Sequence, residues 1–303
     1  MIQKVLITGA SGFIGRSVTR SFAELGVSVI GLSRSDSIID KTYKNVSFYD
    51  VDLRDKERML LLLKSFKPDA VIHLAAIASP THGLVSEIYD VNVLGSECLL
   101  DAVQDACTEG TKVILASTAG VYGNSKQELI SEDAAYSPVN HYSLSKVAME
   151  LLSKCYEDSF DIKIVRPFNV IGVGQRENFL VPKLVKAFIE RRKVIEVGNI
   201  ETLRDYVDVS FASEVITKLT LNETFPSKVL NICSGKGTSG VQMIDSLREI
   251  TGFNPEVIVK NNLVRQKEIN RLVGDPCKVN EFIGNHTSSP VPHILLKMLE
   301  ARR

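Results

Sequence analysis

The sequence has no tryptophan, little cysteine and no excess of charge of either sign. Its 36 basic and 36 acidic side chains cancel over 303 residues. Nucleic-acid binders and polybasic membrane-surface proteins carry a basic excess, so neither class fits. The cysteines, Cys98, Cys107, Cys155, Cys233 and Cys277, are odd in number and scattered, and no CxxC occurs. That argues against a disulfide framework or a zinc site of ordinary spacing. No apolar run approaches the roughly 18 residues of a membrane-spanning helix. The opening Met1-Ile2-Gln3-Lys4 runs straight into a strand-like segment, without the apolar stretch and cleavage site of a secretory leader. These absences predict a cytoplasmic, reducing setting. Repeats, low-complexity tracts and Pro-rich linkers are also missing, and a hydrophobic content of 44% excludes a disordered chain.

What the chain does have is a rhythm. Short apolar runs at Val5–Ile7, Val27–Leu32, Val46–Tyr49, Ala70–Leu74, Val113–Ala116 and Ile162–Val165 alternate with amphipathic stretches near Phe13–Leu25, Lys56–Phe66, Val85–Cys107 and Tyr142–Tyr156. Alternation of this kind predicts an α/β protein: a Rossmann-type, doubly wound parallel sheet covered by helices on both faces. After Arg166-Pro167 the rhythm loosens. Helical patterns near Phe179–Arg192, Phe211–Leu221 and Val241–Ile250, with Gly-rich turns such as Ser234-Gly235-Lys236-Gly237, predict a smaller α+β region. The expected division is a dinucleotide-binding domain over residues 1–168, to which 206–232 return, and a substrate-binding region over 169–205 and 233–303.

The strongest local motif is Lys4-Val5-Leu6-Ile7-Thr8-Gly9-Ala10-Ser11-Gly12-Phe13-Ile14-Gly15. A strand ends at Thr8 and a helix begins near Phe13. Gly9 and Gly12 would let the backbone, with Ser11, Phe13 and Ile14, approach a pyrophosphate at the helix N-terminus. Gly15 would let the helix pack closely on the sheet. This strand–turn–helix context predicts a bound dinucleotide. The second strand runs into Ser33-Arg34-Ser35 instead of the acid that binds a ribose 2′-hydroxyl. Arg34 and Ser33 are suited to a 2′-phosphate, so NADP(H) is expected, with NAD as the alternative because Asp36 lies close by. Asp52-Leu53 follows the third strand; Asp52 can meet the adenine amino group or cap the next helix.

Hydride chemistry on a ketone requires a proton donor. A Tyr whose phenol is tuned by a neighbouring Lys ammonium supplies one, and a Ser or Thr hydroxyl orients the carbonyl. The sequence has Tyr122…Lys126 and Tyr142…Lys146. The first runs through Gly123-Asn124-Ser125, a turn, whereas the second lies in a helical stretch where i and i+4 are neighbours. Tyr142 and Lys146 are therefore the expected catalytic pair, with Lys146 drawing the phenol toward neutrality. Thr118, then Ser117, is the hydroxyl candidate, at the carboxyl end of the fifth strand.

Together these residues resemble the extended short-chain dehydrogenase/reductase superfamily, in its nucleotide-sugar epimerase/dehydratase/reductase branch. The resemblance includes His73-Leu74-Ala75-Ala76, Asn92 and Arg166-Pro167-Phe168-Asn169 and covers nearly the whole chain. It implies that Leu74, Ala75, Ala76 and Pro167 border the cofactor and that Lys146 also holds the nicotinamide ribose. It further implies a homodimer through the helices near 85–107 and 142–156. Gly198–Val209 looks like a substrate-phosphate segment with Arg204 as its clamp. Val264-Arg265-Gln266-Lys267-Glu268 is similar to the pattern in enzymes acting on GDP-mannose derivatives. By the same resemblance Asn169, Lys183, Arg265 and Glu268 join Arg204 on the nucleotide sugar.

One departure narrows the reaction. Dehydratases of this branch carry a carboxylate after the catalytic Thr, and this chain has Ala119-Gly120. The expected activity is an NADPH-dependent 4-keto reductase of a GDP-linked 6-deoxy-4-keto sugar, supplying a surface-polysaccharide precursor. A 4-epimerase with retained NAD is the alternative. A non-catalytic NADP-sensing regulator is disfavoured by the Tyr/Lys pair. No metal is expected, since no His has ligand spacing.

Overall fold

The computed structural model describes residues 2–33, 42–78, 84–107, 110–222, 225–264, 268–284 and 286–301. The chain divides into two compact units. The first comprises Met1–Val121, Asn140–Arg166 and Ser213–Leu230; the second comprises Tyr122–Val139, Pro167–Ala212 and Asn231–Arg303.

In the first unit the expected alternation is present. It runs β1 (Lys4–Thr8), α1 (Phe13–Glu24), β2 (Ser28–Ser33), β3 (Val46–Asp50), α2 (Lys56–Phe66), β4 (Ala70–His73), α3 (Val85–Tyr89), α4 (Gly95–Ala106), β5 (Lys112–Ala116), α5 (His141–Ser153) and β6 (Asp161–Pro167). The sheet order is β3-β2-β1-β4-β5-β6, closed at the β6 edge by β10 (Val229–Ile232). The pairings from β3 to β6 are all parallel. The order reverses between β1 and β4, which opens a crevice at their carboxyl ends. Strands buried on both faces read as continuous apolar runs: β1 hides Val5, Leu6 and Ile7 completely, and β5 hides Val113, Ile114 and Leu115. Leu6, Leu32, Met59, Leu63, Leu99, Leu100 and Ile164 share one core.

The Val85–Cys107 stretch is helical, but not uniformly so. Residues Asp90–Leu94 form a π-helical segment between α3 and α4. Such segments insert a local widening that re-aims side chains, and they recur at functional sites. Asn92 lies inside it.

The second unit contains β7 (Asn169–Ile171), α6 (Leu180–Ile189), β8 (Val194–Val197), β9 (Leu203–Asp208), β11 (Gly237–Thr238), α8 (Gly240–Thr251), β12 (Glu256–Val259), β13 (Arg271–Leu272), α9 (Cys277–Ile283) and α10 (Val291–Glu300). Helix α7 (Val209–Leu221) leads back toward the first unit. Strand β9 pairs with β7 and β13 in parallel and with β11 antiparallel. Leu184, Val185, Phe188, Met243, Leu247, Leu295 and Met298 form its separate core. Helix α8 opens on a capping box between Ser239 and Gln242. Among the described residues no helix is long and apolar enough to cross a membrane.

Candidate active site

The cofactor end of the first unit is built on the turn after β1. Gly9 sits at φ +67°, in the left-handed region, and a Cβ there would lie 2.7 Å from the Ala75 backbone nitrogen. Gly15 faces the Gly9 carbonyl, so a side chain there would also collide. Gly12 caps α1 without any side-chain hydrogen bond, and the first turn carries no acid. The N-terminal N–H groups of α1 are thus suited to an anion supplied from outside the helix. Ser11 and Ser33 join their hydroxyls at 2.7 Å, which ties the phosphate turn to the end of β2. Phe13 and Ile14 are half-buried on the first turn. These features fit a dinucleotide pyrophosphate. Arg34, on which the 2′-phosphate expectation rests, lies outside the described residues.

After β4, Leu74, Ala75 and Ala76 are half-buried, and the Leu74 and Ala75 nitrogens donate to the Thr8 carbonyl and hydroxyl oxygens. Asp52 does not cap α2; Asp55 does, accepting from the Arg58 nitrogen. Asp52 is instead held by Arg54, whose backbone nitrogen and Nε reach Oδ1 at 2.9 Å and whose Nη2 reaches Oδ2 at 2.7 Å. The Leu53 side chain belongs to the core, which leaves only its backbone for a cofactor contact. Pro167 is buried at the end of β6.

The catalytic candidates meet at the carboxyl end of β5. Asn140 caps α5 by accepting from the Ser143 nitrogen at 2.8 Å, which sets the helix start one turn before Lys146. His141 therefore does not cap the helix, and its Nδ1 lies 3.0 Å from the Tyr89 hydroxyl. The Thr118 hydroxyl lies close enough to Tyr142 to draw its phenol pKa down. Thr118 Oγ1 also accepts from the Gly120 nitrogen at 3.1 Å. Lys146 is buried, and its Nζ donates to the Ala116 carbonyl at 2.7 Å. Ser117 donates to Glu150. Thr118 is thus the hydroxyl beside the tyrosine, and Ser117 serves another partner.

The electrostatics correct one expectation. Burial pushes the Tyr142 phenol up, opposed by its bond to Thr118. Burial is the larger influence, so the phenol moves up and not toward neutrality as expected from a neighbouring ammonium. Burial lowers Lys146 itself to about 8, with Glu150 holding it up.

Beneath this pair lies a network that local motifs do not reveal. Thr8 Oγ1 meets His73 Nδ1 at 2.7 Å, and His73 Nε2 meets Ser96 Oγ at 2.9 Å. Burial, then the Lys146 charge, pushes His73 down to about 3, so it stays neutral. From the π segment, Asn92 pairs with the backbone of Ile77 through both amide atoms and donates to Ser145, which in turn donates to the Tyr142 carbonyl. Tyr122, the rival tyrosine, is wholly buried and donates to Asn231 at 2.6 Å, a structural role.

The second unit holds the expected substrate residues. Asn169 donates to the Asp205 carbonyl at 3.1 Å, and Lys183 Nζ donates to the Glu196 carbonyl at 2.9 Å. Arg204, on β9, bonds the Leu203 carbonyl at 3.0 Å. Glu268 accepts from Asn199 Nδ2 at 2.9 Å. Arg265 lies outside the described residues. Asp205, next to Arg204, is fully buried and accepts from the Ser234 nitrogen and hydroxyl and from the Gly235 and Gly274 nitrogens. Among the described residues no cluster of His, Cys, Asp and Glu could hold a metal.

Residues 5–233 match the model of the NAD dependent epimerase/dehydratase family. The chain is similar to a GDP-6-deoxy-D-talose 4-dehydrogenase of Aggregatibacter actinomycetemcomitans, at 35% identity over 99% of this chain and 98% of the relative. It is similar to a GDP-6-deoxy-D-mannose reductase of Pseudomonas aeruginosa, at 27% identity over 94% and 92% of the two chains. Among solved structures it resembles the UDP-glucose 4-epimerase of Thermus thermophilus in complex with NAD, with a TM-score of 0.85, 27% identity and 98% of both chains covered. The chain belongs to the NAD dependent epimerase/dehydratase family and is an NAD(P)-dependent enzyme.

Proposed function

We propose that this protein interconverts the 4-keto and 4-hydroxy forms of a GDP-linked 6-deoxyhexose with NADP(H), reduction being its working direction. The observation that carries the reading is Thr118 beside Tyr142 at the end of β5, followed in the chain by Ala119-Gly120 and not by a carboxylate. Ala119 is buried, and a Cβ at Gly120 would lie 2.5 Å from Ser143 Oγ. A longer side chain at position 120 would have to displace the Ser143 hydroxyl, and neither Ala119 nor Gly120 offers a base for the C5 proton, so elimination of water is disfavoured. Thr118 orients the sugar O4. Tyr142 gives its proton to O4 during reduction and takes it back in the reverse direction. Lys146, cationic below about pH 8, stabilises negative charge developing on the phenol oxygen. When bound, the nicotinamide supplies the hydride chemistry at C4.

The base and sugar follow the two GDP-6-deoxyhexose relatives, both named for oxidation or reduction. Arg204, Lys183, Asn169, Arg265 and Glu268 are the side chains assigned to the nucleotide, with Arg204 as the diphosphate clamp. Ser33 and Arg34 are assigned to the 2′-phosphate. Leu94, Leu144 and Leu151 are exposed apolar side chains on the helices assigned to a homodimer contact. A 4-epimerase is the second reading, favoured by the likeness to an epimerase that holds NAD.

The test follows absorbance at 340 nm with NADPH and freshly generated GDP-6-deoxy-4-keto-mannose. Stoichiometric loss of NADPH is expected. No loss, together with cofactor retained through purification, would favour the epimerase.

A further inference from the structure

Residues 142, 146 and 150 of α5 form one stripe, each a turn beyond the last. Three successive residues leaving β5 meet that stripe. The Ala116 carbonyl receives Lys146 Nζ at 2.7 Å, Ser117 donates to Glu150 Oε1, and the Thr118 hydroxyl lies beside Tyr142. Glu150 is itself held from the neighbouring strand. Arg166, at the end of β6, reaches its Oε1 with Nε at 3.0 Å and its Oε2 with Nη2 at 2.6 Å. Both partners of this ion pair are buried, with side chains 4% and 1% exposed. The Ser117 nitrogen donates to the Val165 carbonyl at 2.8 Å, which fixes the same loop to β6 by its backbone.

We propose that Glu150, clamped by Arg166, is the positioning residue of this active site. Through the Ser117 hydroxyl it sets the height of the β5 loop against α5. It thereby fixes the Thr118 hydroxyl on Tyr142 and the Ala116 carbonyl on Lys146. Two reasons favour this over a purely structural ion pair. A buried pair contributes little net stability compared with apolar packing, so its presence calls for a geometric role. Ser117 also lies between the two residues that touch the catalytic pair, so its side-chain hydrogen bond governs both contacts. The proposal rests on the assignment of Tyr142 as proton donor.

Among the described residues, the charged and titratable groups against this network include Arg166 on Glu150, Lys146 beside Glu150, and His73 within reach of the Lys146 charge. Loss of the Thr118 bond would raise the Tyr142 pKa, because that bond favours the phenolate. Ser117→Ala removes only the link and leaves the Glu150–Arg166 pair intact, so it is the variant expected to fold. The first measurement needs no substrate. Protein labelled with 13Cζ-tyrosine is titrated by NMR, with the Tyr142 resonance assigned by Tyr142→Phe. Ser117→Ala is expected to raise the Tyr142 pKa, as Thr118→Val does. The second is turnover. Misplacement of about an ångström can cost up to a hundredfold in rate, so kcat should fall about ten- to hundredfold. The KM for the nucleotide sugar and the NADPH affinity should hold within about twofold, since uniform binding is untouched.

A Tyr142 pKa unmoved by Ser117→Ala while Thr118→Val shifts it would overturn the proposal and leave the proton donor standing. Undiminished turnover in Tyr142→Phe would instead overturn the donor assignment, and this inference with it.

Discussion

The two units treat their functional side chains differently. In the first, Thr118, Tyr142, Lys146, Ser117 and Glu150 are cross-tied among themselves and to backbone atoms, and most are buried. In the second, Asn169, Lys183, Arg204 and Glu268 are half-buried, and each is tethered to a nearby backbone carbonyl or side-chain amide. The contrast teaches where precision is needed. Proton transfer requires sub-ångström placement, and a packed polar network supplies it. The recognition proposed for the nucleotide sugar would be spread over several long, adjustable side chains, so each is expected to affect binding more than the chemical step. Asp205, buried and accepting four hydrogen bonds, is the exception: it anchors the strand that presents Arg204.

The sharpest way to break this contrast is to remove the donor. Tyr142→Phe should cost about a thousandfold or more in kcat, with NADPH affinity nearly unchanged by fluorescence titration. Retained turnover would take the proton donor out of the first unit. Arg204→Ala should act on the other side. The KM for the nucleotide sugar should rise about ten- to hundredfold, the equivalent of a lost charge-assisted contact, while the NADPH Kd holds. Equal weakening of both ligands would make Arg204 a structural residue. A smaller effect is expected for Arg34→Asp, where the NADPH-to-NADH preference should fall about tenfold; an unchanged ratio would discredit the 2′-phosphate assignment.

The smallest effects concern stability and its pH dependence. The folded pKa of His73, about 3, lies below its ordinary 6.5. Between those values the unfolded chain binds the extra proton, so stability rises with pH through that window and is lost on acidification. A His73→Asn variant should lose this slope in acid-unfolding curves. Lys146, lowered from 10.5 to about 8, gives a second rise in stability between those values, since there too the unfolded chain holds the proton. At neutral pH its buried charge opposes folding by something on the order of 3 kcal/mol. Lys146→Met removes that cost but strands the Ala116 carbonyl, worth about 1–3 kcal/mol. The expected result is an inactive protein with an unchanged or slightly raised Tm at pH 7 and no stability gain above pH 8. A large fall in Tm would show that Lys146 holds the fold as well as the chemistry.

Much of the first unit is legible in the sequence because its signals are local. The strand–Gly turn–helix order announces the phosphate site, and spacing along a helix separates Tyr142…Lys146 from Tyr122…Lys126. The parallel sheet follows from apolar runs alternating with amphipathic ones. What escapes depends on contacts between residues far apart in sequence. Glu150 looks like any helix glutamate until Ser117 and Arg166 are seen to converge on it. Asn92 is singled out only by family resemblance, and the π segment that aims it is not encoded by periodicity. Asp52 reads equally as an adenine contact or a cap, because the claim of Arg54 two residues later and the competing cap at Asp55 leave no pattern. The Tyr142 pKa moves up where a lowering is expected, because desolvation, a property of the packed site, is invisible in sequence. The substrate residues of the second unit carry no physical signature and are legible only through family resemblance.

The central claim is that hydride is exchanged at C4 of the sugar with a dissociable NADP(H) while Tyr142 moves the proton. Its most direct test is NADPH deuterated at the transferred position, incubated with a GDP-6-deoxy-4-keto-hexose, with the product analysed by NMR. The account predicts one deuterium at sugar C4 for each NADP+ formed, and none with Tyr142→Phe. A product free of deuterium, or one formed without net consumption of NADPH, would contradict it.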